Sequence, residues 1–219
     1  MDTIALLARA EFFSALDHTV IDQVVDHTTV RRVQRNELVF AEGDVAGELF
    51  VVRSGRIAIA MRAADGRESV VALMEEGDLF GEMALFDGQG RSAEARALEP
   101  SEVVAVPYPA LRAIFDERPQ LLWGVVDLLA QRLRTTDAAL ADSMFLDVTG
   151  RTAKRLLEIA GDDDEFTLPV TQEELAGMVG ASRERVNKAI AAFVRLGWLE
   201  QSERRYKILD RVQLTRRAH

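Results

Sequence analysis

Residues 119–146 read PQLLWGVVDLLAQRLRTTDAALADSMFL, and their spacing decides the architecture. Pro119 suits a helix start, where the first-turn N–H has no intrahelical partner. Leu122, Val126, Leu129, Leu133, Thr136, Leu140 and Ser143 then recur at alternating intervals of four and three. That pattern is the a/d seam of a coiled coil. A helix buried against its own domain is the alternative. Two features favour a seam between subunits. The helix exceeds the usual length of about 11–12 residues and has no Gly or Pro after Gly124. It also carries Arg132, Thr136 and Asp137 in or beside the seam, and polar groups there need partners. A further binding partner at this helix is therefore expected.

The chain has 219 residues, 48% hydrophobic and 29% charged, as expected of a globular protein of one or two domains with a real core. No window approaches about 18–20 consecutive apolar residues. The N-terminus, MDTIALLARAEFF, lacks the basic segment and cleavage site of a targeting peptide. A soluble, cytoplasmic protein with no membrane association is expected. There is no cysteine, which removes disulfides, thiolate zinc sites, iron–sulfur clusters and thiol catalysis together. His18, His27 and His219 are the only histidines, which leaves little for a metal site or a triad, and no metal is expected. The net charge of −9 is uneven. Residues 1–146 hold 14 basic and 24 acidic side chains, residues 147–219 hold 13 and 12, and the stretch 183–217 holds 10 and 4. An acidic front thus carries a locally basic tail. This permits DNA binding at the tail, although a solvated charged face is the commoner cause of such a cluster.

Residues 2–28 read as one or two short helices, with Ile4, Leu7, Phe12, Leu16, Ile21 and Val24 supplying apolar contacts. Between Thr29 and Val106 short runs rich in Val, Ile and Leu alternate with turns at Gly43, Gly55, Gly66 and Gly77. Asp65-Gly66 between two such runs is a hairpin signal. Short strands at regular spacing predict an antiparallel sandwich or barrel, either a ligand-holding roll or a scaffold. A metal-dependent enzyme on such a roll needs clustered His and carboxylate ligands, and residues 29–106 contain no histidine. An enzyme is not expected.

The sharpest motif follows: FGEMALFDGQGRSA, residues 80–93. A glycine-rich turn, one acid, a short apolar helical turn and an Arg-Ser pair can cradle an anion. Unhindered backbone N–H groups and an Arg fork are what a phosphate diester needs. The lone acid, Glu82, makes sense as an acceptor for a sugar hydroxyl. A loop in which Glu82 and Arg91 pair with each other is the competing reading.

Past the long helix, FLDVTGR (145–151) marks a hinge, with Asp147 or Thr149 as the N-cap of a helix starting near Arg151. The acidic run GDDDEFTLP is read as a solvated connection. Thr171 followed by Glu174 is a capping box, opening a helix through Met178. Val179-Gly180-Ala181 makes a tight turn, and Ser182 caps a second helix, Arg183 to Leu196. Two short helices around a glycine turn predict a helix-turn-helix, whose second helix enters the major groove by its N-terminal residues. Those are Ser182, Arg183, Glu184, Arg185, Asn187 and Lys188, with Thr171 and Gln172 on the preceding helix. Arg matches guanine O6 and N7, and Glu accepts from cytosine N4. WLEQSERRYKIL (198–209) reads as a wing hairpin with Arg204, Arg205 and Lys207 available to phosphates.

GEMALFDGQGRSA resembles the phosphate-binding cassette of the cyclic-AMP receptor protein (Crp/Fnr) family of bacterial transcription factors. EGDVAGELFVVRSGRIAI resembles the early strands of that family's roll, FLDVTGRTAKRLL its hinge, and TQEELAGMVGASRERVNKAI its DNA-reading motif. These separated motifs stand in the chain in the family's order, and the similarity extends over almost the whole chain. The resemblance implies an α+β protein: an antiparallel β-roll (1–118), a dimerisation helix (119–146) and a winged helix-turn-helix (147–219). It implies that Glu82 takes the ribose 2′-hydroxyl of cyclic AMP. Arg91 and Ser92, with backbone around Gly81, Met83, Ala84 and Ala93, would hold the phosphate. Arg132 would reach the cassette and pair with Glu82, and Thr136 would meet the adenine edge. Asp137 departs from the Ser or Asn usual there. An aspartate can accept from the adenine amino group, or equally from the N–H groups of guanine, but does not donate when ionised, which leaves cyclic GMP or a ligand-independent dimer open beside cyclic AMP. Arg183, Glu184 and Lys188 become the base readers, with Ser182 on phosphate and Arg185 on the backbone. Lys188 stands for an arginine of some relatives and lacks its bidentate fork. The implied partners are a second copy, palindromic DNA with GTG/CAC half-sites about 34 Å apart, and RNA polymerase.

Overall fold

The structure, a computed structural model, describes residues 2–13, 16–62 and 68–219. The chain divides into two units, one ending at Arg134 and one spanning Thr135–His219. In the first, α1 (Thr3–Arg9), a 3-10 turn (Glu11–Phe13) and α2 (His18–Val25) precede the strands. Eight strands follow: β1 (Thr29–Val33), β2 (Leu38–Phe40), β3 (Glu48–Ser54), β4 (Ile57–Arg62), β5 (Glu68–Met74), β6 (Leu79–Phe80), β7 (Glu94–Ala97) and β8 (Ser101–Pro107). They form two four-stranded antiparallel sheets, ordered β1-β8-β3-β6 and β2-β7-β4-β5. The Asp65-Gly66 turn lies outside the described residues, but β4 and β5 pair antiparallel from Arg62↔Glu68 to Ile57↔Met74.

The period-2 alternation of strands explains where the cores sit. On β3, Phe50 and Val52 join Ile57, Phe80, Ala95, Val103 and Ala105 between the two sheets. The intervening Leu49 and Val51, with Val104 and Val106 of β8, face the opposite way into a second core. Leu6, Leu7, Ile21, Leu111, Val125 and Leu128 from helices complete that core. One sheet is therefore the wall between two hydrophobic layers, and its central strands read as unbroken apolar runs.

Between β6 and β7 lies α3 (Met83–Asp87), ended by Gly88 at φ +69°. After β8 comes α4 (Tyr108–Glu117), which the strand pattern does not announce. Pro119 opens a 3-10 turn (Pro119–Leu121) rather than the long helix, and α5 itself begins at Leu122 and runs to Phe145.

In the second unit, α6 spans Val148–Ala160, three residues earlier than the sequence suggests. Asp147 is its N-cap, accepting from Gly150 N at 2.8 Å. The remaining elements are β9 (Glu165–Thr167), α7 (Gln172–Val179), α8 (Arg183–Arg195), β10 (Leu199–Ser202), β11 (Arg205–Ile208) and α9 (Arg211–Arg217). The acidic run is more than a connection. Glu165–Thr167 pairs with β11 as the third strand of the wing sheet. Arg211 holds the turn before it through Gly161 O (2.8 Å), Asp163 O (2.6 Å) and Asp164 Oδ1 (2.9 Å).

Candidate ligand cassette and DNA-reading face

The cassette is built on glycine backbone. Gly81 has φ +78°, and a Cβ there would stand 2.6 Å from Arg91 Nη1, so only glycine fits. The loop carrying Arg91 is pinned to the β2–β3 loop by Gly43 N→Arg91 O (2.8 Å) and Arg91 N→Asp44 O (3.0 Å). These contacts fix where the Arg91 side chain starts.

Arg91 is 7% exposed and Glu82 is 1% exposed; burying two such charges demands partners. Glu82 pairs with Arg132 Nη1 at 2.5 Å, and Arg132 Nη2 donates to the Leu79 carbonyl. Glu82 and Arg91 thus find different partners, against the reading in which they neutralise each other. Arg91 Nη1 donates to Gly81 O (2.8 Å) and to the Tyr108 hydroxyl (3.2 Å), and Nη2 donates to Glu48 O (2.7 Å). The guanidinium lies over the Phe40 ring, 4.1 Å from its centroid, a cation–π contact. Its Nε is buried without a hydrogen-bond partner. Ser92 is exposed, its hydroxyl 3.5 Å from Met83 Sδ, and Ala84 and Ala93 are buried beneath the loop.

Tyr108 is the residue the sequence reading misses. It is buried at the start of α4 and its hydroxyl donates to Gly81 O. Burial pushes its phenol above the ordinary value, with Arg91 opposing. The only signal for it in the sequence is a lone aromatic hydroxyl between Pro107 and Pro109.

On α5, Val125 and Leu128 face the core of their own unit. Another face is uncovered: Val126 is 49% exposed, Leu133 61% and Leu140 58%, with Trp123, Leu129, Met144 and Phe145 also exposed. Leu122, a predicted seam position, instead packs partly buried against the core. Thr136 and Asp137 lie on exposed helix in the second unit.

In that unit α7 and α8 form the helix-turn-helix. Thr171 and Glu174 make a complete capping box, and Gly180 turns the chain at φ +68°. Ser182 caps α8 by accepting from Arg185 N at 3.4 Å. Arg183, Glu184, Arg185 and Lys188 are exposed on the first turns. Glu184 and Lys188 pair at 2.6 Å, which lowers the Glu184 carboxyl below its usual range. Asn187 differs from these: it is half-buried and its Oδ1 is enclosed without a hydrogen-bond partner. Gln172 donates to the Tyr206 hydroxyl at 3.1 Å. In the wing, Arg205 is exposed, Lys207 pairs with Glu165, and Arg204 donates twice to Leu168 O (2.9 and 3.3 Å). Arg204 therefore braces the wing with part of its guanidinium.

Family comparison agrees with this arrangement. The cyclic nucleotide-binding domain matches residues 30–118, and the Crp-like helix-turn-helix domain matches 150–217. A CRP-like cAMP-activated global transcriptional regulator of Mycobacterium tuberculosis is 38% identical over 97% of this chain and 98% of its own. The cAMP-activated global transcriptional regulator Vfr of Pseudomonas aeruginosa is 32% identical over 84% and 92%. Among solved structures, the c-di-GMP responsive global regulator CLP of Xanthomonas campestris aligns with TM-score 0.77 at 28% identity, over 88% of this chain and 99% of that one. A nucleotide-binding roll joined by a long helix to a winged helix-turn-helix defines a class of DNA-binding transcription regulators, not enzymes. The chain belongs to the Crp/Fnr family. Among the described residues no helix is long and apolar enough to cross a membrane, and no cluster of His, Asp or Glu is arranged to hold a metal ion.

Proposed function

We propose that this regulator is a homodimer whose DNA binding is switched by cyclic AMP. The observation that carries the proposal is the buried Arg91 Nε, a charged donor without an acceptor, set in a glycine-built loop beside the buried Glu82 carboxylate. A cyclic phosphate supplies the missing acceptor, with Ser92 and backbone around Gly81, Met83, Ala84 and Ala93 as further donors. Glu82 and Arg132 meet the ribose side, and Thr136 and Asp137 recognise the base. The exposed apolar row of α5 supports dimerisation through a coiled-coil seam. A two-fold dimer then reads inverted GTG/CAC half-sites. Arg183, Glu184 and Lys188 are the base readers, and Ser182, Arg185 and Arg205 contact phosphates. The functional parts are the roll (1–118), the dimerisation helix (119–146) and the reader (147–219), acting on chromosomal DNA in the cytoplasm with RNA polymerase. Ligand acts as a switch by favouring the DNA-competent dimer by several kcal/mol.

The test is a calorimetric titration of cyclic AMP, with cyclic GMP in parallel, followed by DNA binding with and without ligand. Saturable cyclic AMP binding, abolished by Arg91→Ala, is expected. Full nucleotide-dependent DNA binding by Glu82→Ala or Arg91→Ala sinks the proposal. Asp137 favours a second reading, because its exposed carboxylate, an acceptor only when ionised, takes the N–H groups of guanine as readily as the adenine amino group. Preference for cyclic GMP makes Asp137 the specificity residue, and DNA affinity indifferent to both nucleotides makes the protein a ligand-independent regulator.

A further inference from the structure

A cavity of about 480 Å³ opens on the first unit, within the ~300–1,000 Å³ usual for small-molecule sites. Three walls surround it: the β2–β3 loop at residues 43–47, the end of α3 with the turn at residues 88–90, and the first turns of α4. Gly81, Glu82, Arg91 and Ser92 do not line it. It is therefore a different space from the phosphate site proposed above.

Hydrogen bonds tie each wall to its neighbours. Arg91, which follows the 88–90 turn, makes two main-chain bonds with the β2–β3 loop, at Gly43 (2.8 Å) and Asp44 (3.0 Å). Tyr108 N donates to Gly47 O at 2.9 Å, joining α4 to the same loop. Arg112 Nη2 donates to Leu85 O at 3.2 Å, joining α4 to α3. A Cβ on Gly90 would stand 3.0 Å from Gly43 O, so the two loops meet closely across a glycine. The cavity is thus braced on three sides.

Its chemistry is one-sided. Among the described residues that line the cavity, Arg112 is the only charged one and none is acidic. A guanidinium has five N–H donors. Arg112 gives one to Leu85 O, and no carboxylate among the described residues pairs with it. The N–H groups of Ala46, Gly47 and Gly90, on the same walls, donate to no acceptor among the described residues. Val45, Ala84 and Pro109 supply apolar surface, and Val45 is 99% exposed, an apolar side chain left in water. One fixed cation balances one negative charge, and an arginine fork matches the two oxygens of a carboxylate. We infer that this cavity binds a small aliphatic monocarboxylate, its head on Arg112 and its chain against Val45 and Pro109. The inference does not depend on which nucleotide the cassette takes.

The test is a titration of butyrate into the full-length protein labelled with nitrogen-15 glycine, read from the amide resonances. Saturable shifts at Gly47, Gly88 and Gly90 are expected, with Gly81 of the cassette unmoved. Butyramide, the same chain without the charge, is expected to bind about tenfold more weakly, equivalent to ~1.4 kcal/mol. A similar loss of butyrate affinity is expected for Arg112→Gln, whose amide can still donate to Leu85 O, and for Val45→Asp, which adds a carboxylate to the wall. Both side chains are exposed, so the melting temperatures of these variants should stay unchanged. Absence of saturable shifts overturns the inference. So do shifts centred on Gly81, equal affinity for butyramide, or undiminished binding by both variants. Inorganic phosphate binding more tightly than butyrate overturns the carboxylate assignment. Cyclic AMP titrated into the same sample reads the cassette at Gly81, so failure of one site is distinguished from failure of the other.

Discussion

Arg217, the last residue of α9, places Nη2 on both carboxylate oxygens of Asp147, the residue that caps α6. The same carboxylate accepts from Gly150 N. Gly150 has no side chain to interfere: a Cβ there would lie 3.0 Å from Arg217 Nη1 and from the Arg217 carbonyl. The C-terminal helix thus clasps the start of α6.

The clasp and the cap separate energetically. Arg217→Ala is expected to destabilise the second unit by about 0.5–1 kcal/mol, because Asp147 is largely exposed and surface pairs are screened. Asp147→Ala loses the cap as well and is expected to cost about 1–2 kcal/mol. Urea denaturation of both variants and their double checks the order, and the double variant should resemble Asp147→Ala.

The Gly150 N–H, and then Arg217, hold the Asp147 carboxyl below its ordinary range. A depressed folded value means its stabilisation is complete above the unfolded aspartate value of about 3.9. It is lost as pH falls through the lower folded value. Asp147→Asn should flatten the unfolding free energy against pH below about 4 and leave the slope at neutral pH unchanged.

The Glu82–Arg132 pair is asymmetric, since Glu82 is buried and the Arg132 side chain is 35% exposed. Arg132→Ala strands a buried carboxylate and is expected to cost about 2 kcal/mol, below the range for fully buried pairs. Glu82→Gln leaves Arg132 an amide oxygen and the Leu79 carbonyl and should cost less. Thermal melting of the ligand-free protein distinguishes the two.

Leu133 and Leu140 are 61% and 58% exposed, so Leu133→Glu with Leu140→Glu should leave each unit folded while abolishing self-association. Light scattering should then give the mass of one chain, with circular dichroism unchanged. A persistent dimer contradicts the seam.

In the wing, Arg205→Ala should reduce the slope of log K against log salt by about 0.9 for one lost phosphate contact, without changing base preference. Where Glu184 reads a cytosine, as proposed, Glu184→Gln should relax selection at that base by about 1–3 kcal/mol of discrimination. Lys188 keeps only an uncharged amide oxygen as its partner in that variant. Binding measured across a panel of half-site sequences at two salt concentrations separates these effects.

Much of this architecture is legible in short-range chemistry. Thr171 and Glu174 announce the capping box because both partners lie within one helical turn, and Gly180 and Gly81 occupy backbone conformations that favour glycine. The heptad spacing of α5 identifies an uncovered apolar row. Less legible are features set by distant partners. Tyr108 matters because the chain returns it to Gly81, 27 residues earlier. The edge strand Glu165–Thr167 hides among acids because its partner β11 lies 38 residues further on at Arg205↔Thr167. Asn187 shares the sequence position of a groove-facing residue, yet its side-chain oxygen is enclosed, a matter of rotation that periodicity does not resolve at one residue.

The sheet that walls off two cores also sets the timing of folding during synthesis. Thr29 of β1 pairs with Ala105 of β8, 76 residues later, and β3 joins that same late strand. At about 5–20 residues per second, β1 waits roughly 4–15 s for its partner to leave the ribosome. For the later part of that interval Leu49, Phe50, Val51 and Val52, buried on both faces in the finished roll, lack their central neighbour. Such a strand is open to pairing with other chains. Slowing translation before Ser101 should therefore raise aggregation of the nascent chain more than slowing it after Pro107.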